Sequence, residues 1–122
     1  MSAENVFDPV RLAELLCMFK KTGKDFFPSV VEPFLKNAEE TIPILYSAIE
    51  QGQLSEIRET IHRLLGGSKN LGILKIPLIC NKLRENIHRN DHKNALELVR
   101  SLETEIPVLW KQIHAMREKG LI

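Results

Sequence analysis

His62 is the side chain whose type and setting most favour chemistry, because the glycine pair Gly66-Gly67 follows it on an otherwise apolar helical pattern. An imidazole titrates near neutral pH, so its neutral nitrogen can act as a nucleophile without a buried base. Gly66, four residues later, has no side chain to cover the ring. Glycine inside a helix costs about 1 kcal/mol relative to alanine, so two in a row need a reason. Close approach of another molecule at Gly66 is one reason, and tight helix packing at Gly67 is another.

The helix that carries His62 must hold it at the edge of solvent. At about 100° per residue, one side of this helix is a stripe that predicts its buried face, formed by Leu54, Ile57, Ile61, Leu64, Ser68 and Leu71. His62 lies roughly a third of a turn from the middle of the stripe. Its neighbours one or two turns away are Arg58, Leu65, Gly66 and Lys69. The spacing therefore predicts a histidine that can be reached from outside.

Other candidate ligands in the sequence are weaker. His88 and His92 are four residues apart, a spacing that can bind a metal, but the residues between them indicate a turn and no third ligand is evident. No metal site is predicted. His114 is expected at the surface, and Trp110 is expected to be a partly buried packing residue.

Length and composition bound the class of protein. At 122 residues the chain is expected to form one domain, residues 1–122, with a single core. Its 17 basic and 16 acidic residues are spread along the chain, so no patch for nucleic acid or membrane is predicted. Cys17 and Cys80 lie in apolar helical patterns without CxxC spacing, which indicates buried thiols in a reducing compartment. With neither a signal peptide nor a long apolar span, a soluble cytoplasmic protein is expected.

Five helical segments are predicted, with no competing strand pattern. The first has Asp8 as N-cap and Pro9 at its first position, and it ends at residues 20–23. Its inward residues are predicted to be Leu12, Leu15, Leu16 and Phe19. The second runs from about residue 25 to 51 and is expected to bend or break at Pro33 and Pro43.

The third segment carries His62 and ends near Gly72, and the fourth runs from about residue 74 to 89. The fifth has a nearly heptad seam, and a kink is expected at Pro107. Short connections between long amphipathic helices imply antiparallel neighbours. We therefore expect an all-α fold, an up-and-down antiparallel four-helix bundle with a short additional N-terminal helix. Such a bundle closes within one chain, so a monomer is expected.

The sequence around His62 resembles the core motif of histidine-containing phosphotransfer (HPt) domains, roughly His-x-Leu-Lys-Gly-Ser/Ala-Ser/Ala-x-x-x-Gly. The matching residues are His62, Leu64, Gly66, Gly67, Ser68 and Gly72. Flanking features agree over nearly the whole chain: Phe7-Asp8, Phe34-Leu35, the turn at residues 51–54 and the segment at residues 78–83.

This resemblance implies that His62 accepts a phosphoryl group from a receiver-domain aspartate or a hybrid sensor kinase and passes it to another receiver aspartate. Phosphoryl transfer depends mainly on in-line positioning and charge stabilisation. The Mg²⁺ that supplies much of this charge would come with the receiver domain, so no cofactor is expected in this chain. The protein would be a phosphocarrier without autonomous catalytic activity.

Leu65 stands where the family usually has lysine, and it can add only apolar surface for docking. Lys69, two turns from His62 on nearly the same angular position, is a candidate to compensate by reaching back toward the phosphate. Asn37 and Arg84 match positions where some family members place polar side chains facing the histidine. The expected docking surface is formed by Arg58, Leu65, Asn37 and Arg84.

Other classes of function remain open from the sequence. The missing lysine also fits a degenerate HPt-like adaptor that binds receiver or kinase domains without efficient transfer. A helical enzyme would need a paired acid and base near His62, and none is found. A kinase is excluded more strongly because no nucleotide-binding loop is present. The start at Met1 favours a free-standing protein over an excised domain.

Overall fold

The computed structural model describes residues 6–122, and these residues form an all-helical fold. The α-helices are α1 (Pro9–Thr22), α2 (Glu32–Glu50), α3 (Leu54–Asn70), α4 (Lys75–His88) and α5 (His92–Glu118), and a π-helical segment, Phe27–Val31, precedes α2. Within residues 6–122 there is no β-strand, and the single β-type pairing is an isolated antiparallel bridge between Phe7 and Ile73. The all-α prediction is confirmed. Met1, and with it the expectation of a free-standing chain, lies outside the described residues.

The predicted ends of α1 are confirmed by their capping contacts. The carboxylate of Asp8 accepts a hydrogen bond of 3.1 Å from the backbone N–H of Arg11, and Pro9 occupies the first turn. The helix ends at Gly23, whose φ of 75° lies in the left-handed region that favours glycine. Both ends therefore follow from local sequence chemistry.

The second predicted helix is continuous from residue 26 to residue 50, but it changes its hydrogen-bonding type near its start. Residues Phe27–Val31 are π-helical, and α2 begins at Glu32 with Pro33 in its first turn. The helical backbone continues from the π-helical turn into α2, since the N–H of Glu32 donates to the carbonyl of Phe27. Pro33 therefore marks the start of α2 rather than a break within it. Pro43 lies inside α2, as Pro107 lies inside α5, and neither ends its helix.

Four helices enclose the core by pairwise packing. Helix α2 packs against α3 and α5, and α4 packs against the same two helices, so each of the four has two neighbours. The largest fully buried side chains come from all four helices, from the segment before α1 and from the connection between α3 and α4, including Phe7, Leu35, Leu45, Ile61, Ile73, Ile76, Leu83, Leu102 and Leu109. This arrangement holds α3 between α2 and α4 and leaves its remaining face to solvent.

Helix α1 is joined to the end of α3 by backbone hydrogen bonds. The N–H of Asp8 donates to the carbonyl of Gly72 at 2.6 Å, and the N–H of Leu74 donates to the carbonyl of Val6 at 3.0 Å. Arg11 Nε also donates to the carbonyl of Asn70 at 2.8 Å. These bonds fix the N-terminal segment against the C-terminal end of the helix that carries His62.

Three predictions of burial are wrong. Leu54 is 43% exposed although it was placed in the buried stripe, because it is the first residue of α3 and lies at the outer end of that helix. Leu65 is only 6% exposed, since α3 packs on both α2 and α4 and its buried face is wider than one stripe. Cys17 is exposed on the peripheral helix α1, whereas Cys80 is buried as predicted.

Candidate functional site

His62 is exposed near the middle of α3, as predicted. Its ring makes no hydrogen bond, ion pair or aromatic contact with any residue between 6 and 122. Buried polar groups normally have partners, so an unpartnered imidazole is stable here only because water reaches it. Water access also means that a reacting group can reach a ring nitrogen without displacing a protein contact.

The two glycines after His62 have different structural roles. A Cβ atom added to Gly66 would meet nothing within 4 Å apart from the backbone of its own helix, so this surface is open. A Cβ added to Gly67 would lie 2.8 Å from Cε1 and 3.0 Å from Cδ1 of Phe34 on α2, which is closer than packed carbon atoms allow. Packing within the molecule therefore explains Gly67, and it does not explain Gly66.

The end of α3 is closed by Gly72 in a Schellman motif. Its φ is 73°, its N–H donates to the carbonyl of Lys69 at 3.0 Å, and the N–H of Ile73 donates to the carbonyl of Ser68 at 2.9 Å. The hydroxyl of the buried Ser68 donates to the carbonyl of Leu65 at 2.9 Å. The motif residues that follow His62 thus end its helix and satisfy the helix's last polar groups.

His62 lies on the rim of a cleft between α3 and α4, with a volume of about 520 Å³. This α3–α4 cleft is lined by Arg58, Glu59, Ile61, His62, Arg84, Ile87 and His88. Two predicted site residues, Arg58 and Arg84, are therefore brought together with His62. Arg84 Nη2 donates to Asn81 Oδ1 at 3.0 Å, whereas the Arg58 guanidinium has no partner among the described residues.

Asn37 lies on the opposite side of α3, in a groove of about 170 Å³ between α2 and α3. His62 does not line this groove. Asn37 is exposed, and its carbonyl and side-chain oxygens accept hydrogen bonds of 2.9 and 3.4 Å from the hydroxyl of Thr41. The structure therefore does not bring Asn37 into the cleft with His62 and Arg84.

Lys69 lines a third cleft, of about 390 Å³, next to α1. The same cleft contains two carboxylates, Asp8 and Glu14, together with Arg11. Lys69 is exposed, but it and His62 do not share a cleft. Leu65 is also absent from the surface beside His62 because it is buried, so the expectation that it adds apolar docking surface is wrong.

The sequence analysis missed His88 as a neighbour of the site. His88 ends α4 and lines the same cleft as His62, whereas His92 begins α5. Among residues 6–122, no group of three or more histidine, cysteine or acidic side chains is placed to hold a metal ion. The sequence signal for His88 was its position four residues after Arg84, which puts both side chains on one face of α4.

Cys80 carries a potentially nucleophilic thiol, but its buried position suppresses the reactivity of that thiol. Burial raises the pKa of the thiol to about 12, although the nearby charge of Arg84 acts in the opposite direction. The thiolate is the reactive form of cysteine, so Cys80 is inert near neutral pH.

The sequence assigns the chain to a family. The sequence model of the Hpt domain matches residues 29–117, which include α2, α3, α4 and nearly all of α5. The chain belongs to the Hpt domain family. Membership places this Hpt domain in two-component phosphorelay signalling, as the motif around His62 predicts.

Solved structures agree with this assignment. Histidine-containing phosphotransfer protein B from Pseudomonas aeruginosa PAO1 is 25% identical, with a TM-score of 0.78 and coverage of 97% of this chain and 98% of that chain. A histidine-containing phosphotransfer protein from maize is 20% identical, with a TM-score of 0.76 and coverage of 98% and 90%, respectively, and it supports the fold alone. No curated protein sequence matches this Hpt domain. None of its described helices has the length and apolarity needed to cross a membrane.

Proposed function

We propose that this Hpt domain is a phosphocarrier in which His62 accepts a phosphoryl group from a receiver aspartate or a hybrid kinase and passes it to a receiver aspartate. The observation that carries the proposal is an exposed imidazole without protein partners, next to a glycine whose Cβ position is open. Together these features leave space for a second protein to approach the ring. The chain belongs to a family that acts in phosphorelays, so we infer that the protein approaching His62 through this space is a phosphotransfer partner.

From this chain the transfer needs a nucleophile held in line with the phosphorus, and charge stabilisation comes largely from the partner. A ring nitrogen of His62 attacks the phosphorus of an aspartyl phosphate, a P–N bond forms, and the P–O bond to the aspartate breaks. The bonding electron pair leaves with the carboxylate, and the ring proton stays on the other nitrogen or passes to water. Transfer to the next receiver aspartate reverses these steps. The Hpt domain positions the ring, and the receiver supplies the Mg²⁺ that offsets the developing charge.

Arg58 and Arg84 are the side chains that offset the missing lysine in this proposal. Both line the cleft on whose rim His62 lies, whereas Lys69 lies in another cleft beside two carboxylates. A guanidinium presents several N–H donors in a planar arrangement that suits phosphate oxygens. The phosphoryl group on His62 is therefore directed toward α4.

The partners follow from this role. Receiver domains of response regulators and a hybrid sensor kinase dock on the exposed face of α3, and the Hpt domain has no catalytic activity without them. We also infer that α2 to α5 form an up-and-down antiparallel bundle, because each contacts two of the others through short connections. A monomeric, cytoplasmic protein is consistent with this architecture.

The experiment that tests the proposal is incubation with a phosphorylated receiver domain, or with a hybrid kinase and ATP, followed by measurement of acid-labile, base-stable label. Wild type is expected to be labelled and His62→Gln to be unlabelled. His114→Gln is the matched control, because His114 is also exposed on a helix and should be labelled like wild type. Receiver binding without any label on wild type would contradict the phosphocarrier role and favour an adaptor.

A further inference from the structure

The α3–α4 cleft has an apolar floor and a cationic rim. Ile61 and Ile87 line it and are 2% and 6% exposed, so these apolar side chains lie at its base and belong to the core. Arg58 and Arg84 line the same cleft from two different helices. The volume of about 520 Å³ falls within the range of small-molecule sites, roughly 300 to 1,000 Å³.

The charge balance of the cleft favours an anion. Its lining contains two guanidinium groups and one carboxylate, that of Glu59. Arg58 forms no ion pair or hydrogen bond with residues 6–122, so its donors are available to a ligand. Arg84 is held at the cleft by its bond to Asn81, which leaves the rest of its guanidinium free to donate.

We propose that the α3–α4 cleft binds a small organic anion, an aromatic carboxylate, whose apolar ring packs on Ile61 and Ile87 while its carboxylate accepts hydrogen bonds from Arg58 and Arg84. Ligand sites combine apolar surface with polar groups that fix the orientation of the ligand, and here Ile61 and Ile87 supply the first and the two arginines the second. Inorganic phosphate has no apolar part to bury, so it uses only the rim. A neutral aromatic molecule uses only the floor.

A ligand in this position also covers His62, which lies on the rim of the same cleft. This consequence rests on the proposed function, because it matters only if His62 must meet a receiver. Binding itself does not depend on phosphotransfer. A small carboxylate would therefore act as a competitive inhibitor of phosphorylation.

The test is an NMR titration of the full chain with 1-naphthoate, without any phosphodonor, following the methyl signals of Ile61 and Ile87. The neutral 1-naphthalenemethanol and inorganic phosphate are titrated in parallel. We expect saturable shifts with naphthoate and at least about fivefold weaker binding of the other two. Arg58→Ala and Arg84→Ala should each weaken naphthoate binding about fivefold. Arg63→Ala, an exposed arginine on α3 that lines the opposite groove, is the matched control and should bind like wild type.

Several results would overturn the inference: no saturable shift, equal binding of the neutral alcohol, or an Arg63→Ala effect as large as that of Arg58→Ala. A labelling assay with and without naphthoate then separates the two proposals. Naphthoate that binds but leaves labelling of His62 unchanged would refute only the inhibition. An unlabelled wild type with normal naphthoate binding would refute the phosphocarrier role and leave the ligand site intact.

Discussion

His62 and His114 are both exposed histidines on long helices, yet their surroundings differ completely. His114 stacks on Trp110, with ring centroids 5.6 Å apart and an interplanar angle of 20°, and its ring lies 5.1 Å from that of Phe27. His62 has no aromatic, polar or ionic contact within the described residues. Exposure alone therefore does not distinguish a functional histidine from a structural one. The contacts of its ring make His114 part of the packing, whereas the ring of His62 is left open for the role proposed above.

The side chains around His114 form a cluster of contacts between two parts of the fold. Trp110 Nε1 donates to Glu39 Oε1 on α2, and Arg117 lies 4.7 Å above the ring of Phe27. Arg117 Nη2 also contacts Asp25 Oδ2 at 3.0 Å. These contacts join α5 to α2 and to the chain that leads into it. The ring of His62 has no such contact with residues 6–122, so another molecule can reach it without breaking one.

The largest effect is expected from a substitution at Gly66. It tests the difference between His62 and His114 without changing either histidine. Gly66→Leu places a side chain one turn from His62, over a surface that nothing in the molecule occupies. We expect the folded state to keep at least its normal stability, while transfer from a phosphorylated receiver falls about 100-fold because the reacting groups are held apart. Single-turnover labelling and thermal unfolding measure the two quantities. A variant that transfers normally would show that the partner does not approach over Gly66.

The adjacent Gly67 should respond in the opposite way. Gly67→Ala brings a methyl group to within 2.8 Å of the Phe34 ring, and overpacking of this kind costs about 1 to 3 kcal/mol. Gly66→Ala is the matched control, and it should stabilise the helix by up to about 1 kcal/mol because no clash opposes the gain in helix propensity. Urea unfolding of both variants provides the measurement. Equal free energies of unfolding would mean that Phe34 moves aside without cost.

Much of the fold could be predicted from local sequence chemistry. Asp8, Gly23 and Gly72 act at helix ends as their residue types indicate, because caps depend on a few adjacent residues. The π-helical turn at Phe27–Val31 could not be predicted, since the hydrogen-bond register of a helix leaves no clear mark on apolar spacing. It depends on how the buried Phe27 packs against distant residues of α5.

The site was predicted less completely than the fold, for a physical reason. Periodicity gives the centre of a buried face, and this placed His62 correctly at its edge. The width of that face depends on how many helices pack on it, which is why the burial of Leu65 was missed. His88 was considered only with His92, its neighbour in sequence. Its spacing from Arg84 indicates a shared face of α4, but that this face meets His62 follows from the packing of α3 on α4.

A smaller effect is expected at His114, and it sharpens the contrast with His62. His114→Ala removes a ring that stacks on Trp110 and contacts Phe27 at a tilt, so the free energy of unfolding should fall by about 1 kcal/mol. Labelling by a receiver should match wild type. His92→Ala, at an exposed histidine on the same helix without aromatic contacts, is the control for the loss of a histidine alone. A drop in labelling with unchanged stability would mean that the His114 cluster, too, belongs to the docking surface.

The smallest effect is expected from Lys69→Ala. This variant tests which positively charged side chains take the place of the lysine that the family usually has at the position of Leu65. Lys69 is seven positions after His62 on the same helix, about 10 Å along the axis, which is close to the screening length at 0.1 M salt. Lys69 also lies among Asp8 and Glu14, whose charges oppose its own. Transfer should therefore change by less than about twofold, whereas Arg58→Ala and Arg84→Ala should each slow it about fivefold. If Lys69→Ala were instead the slowest variant, its side chain would reach His62 in the complex. The phosphoryl group would then be directed along α3 rather than toward α4.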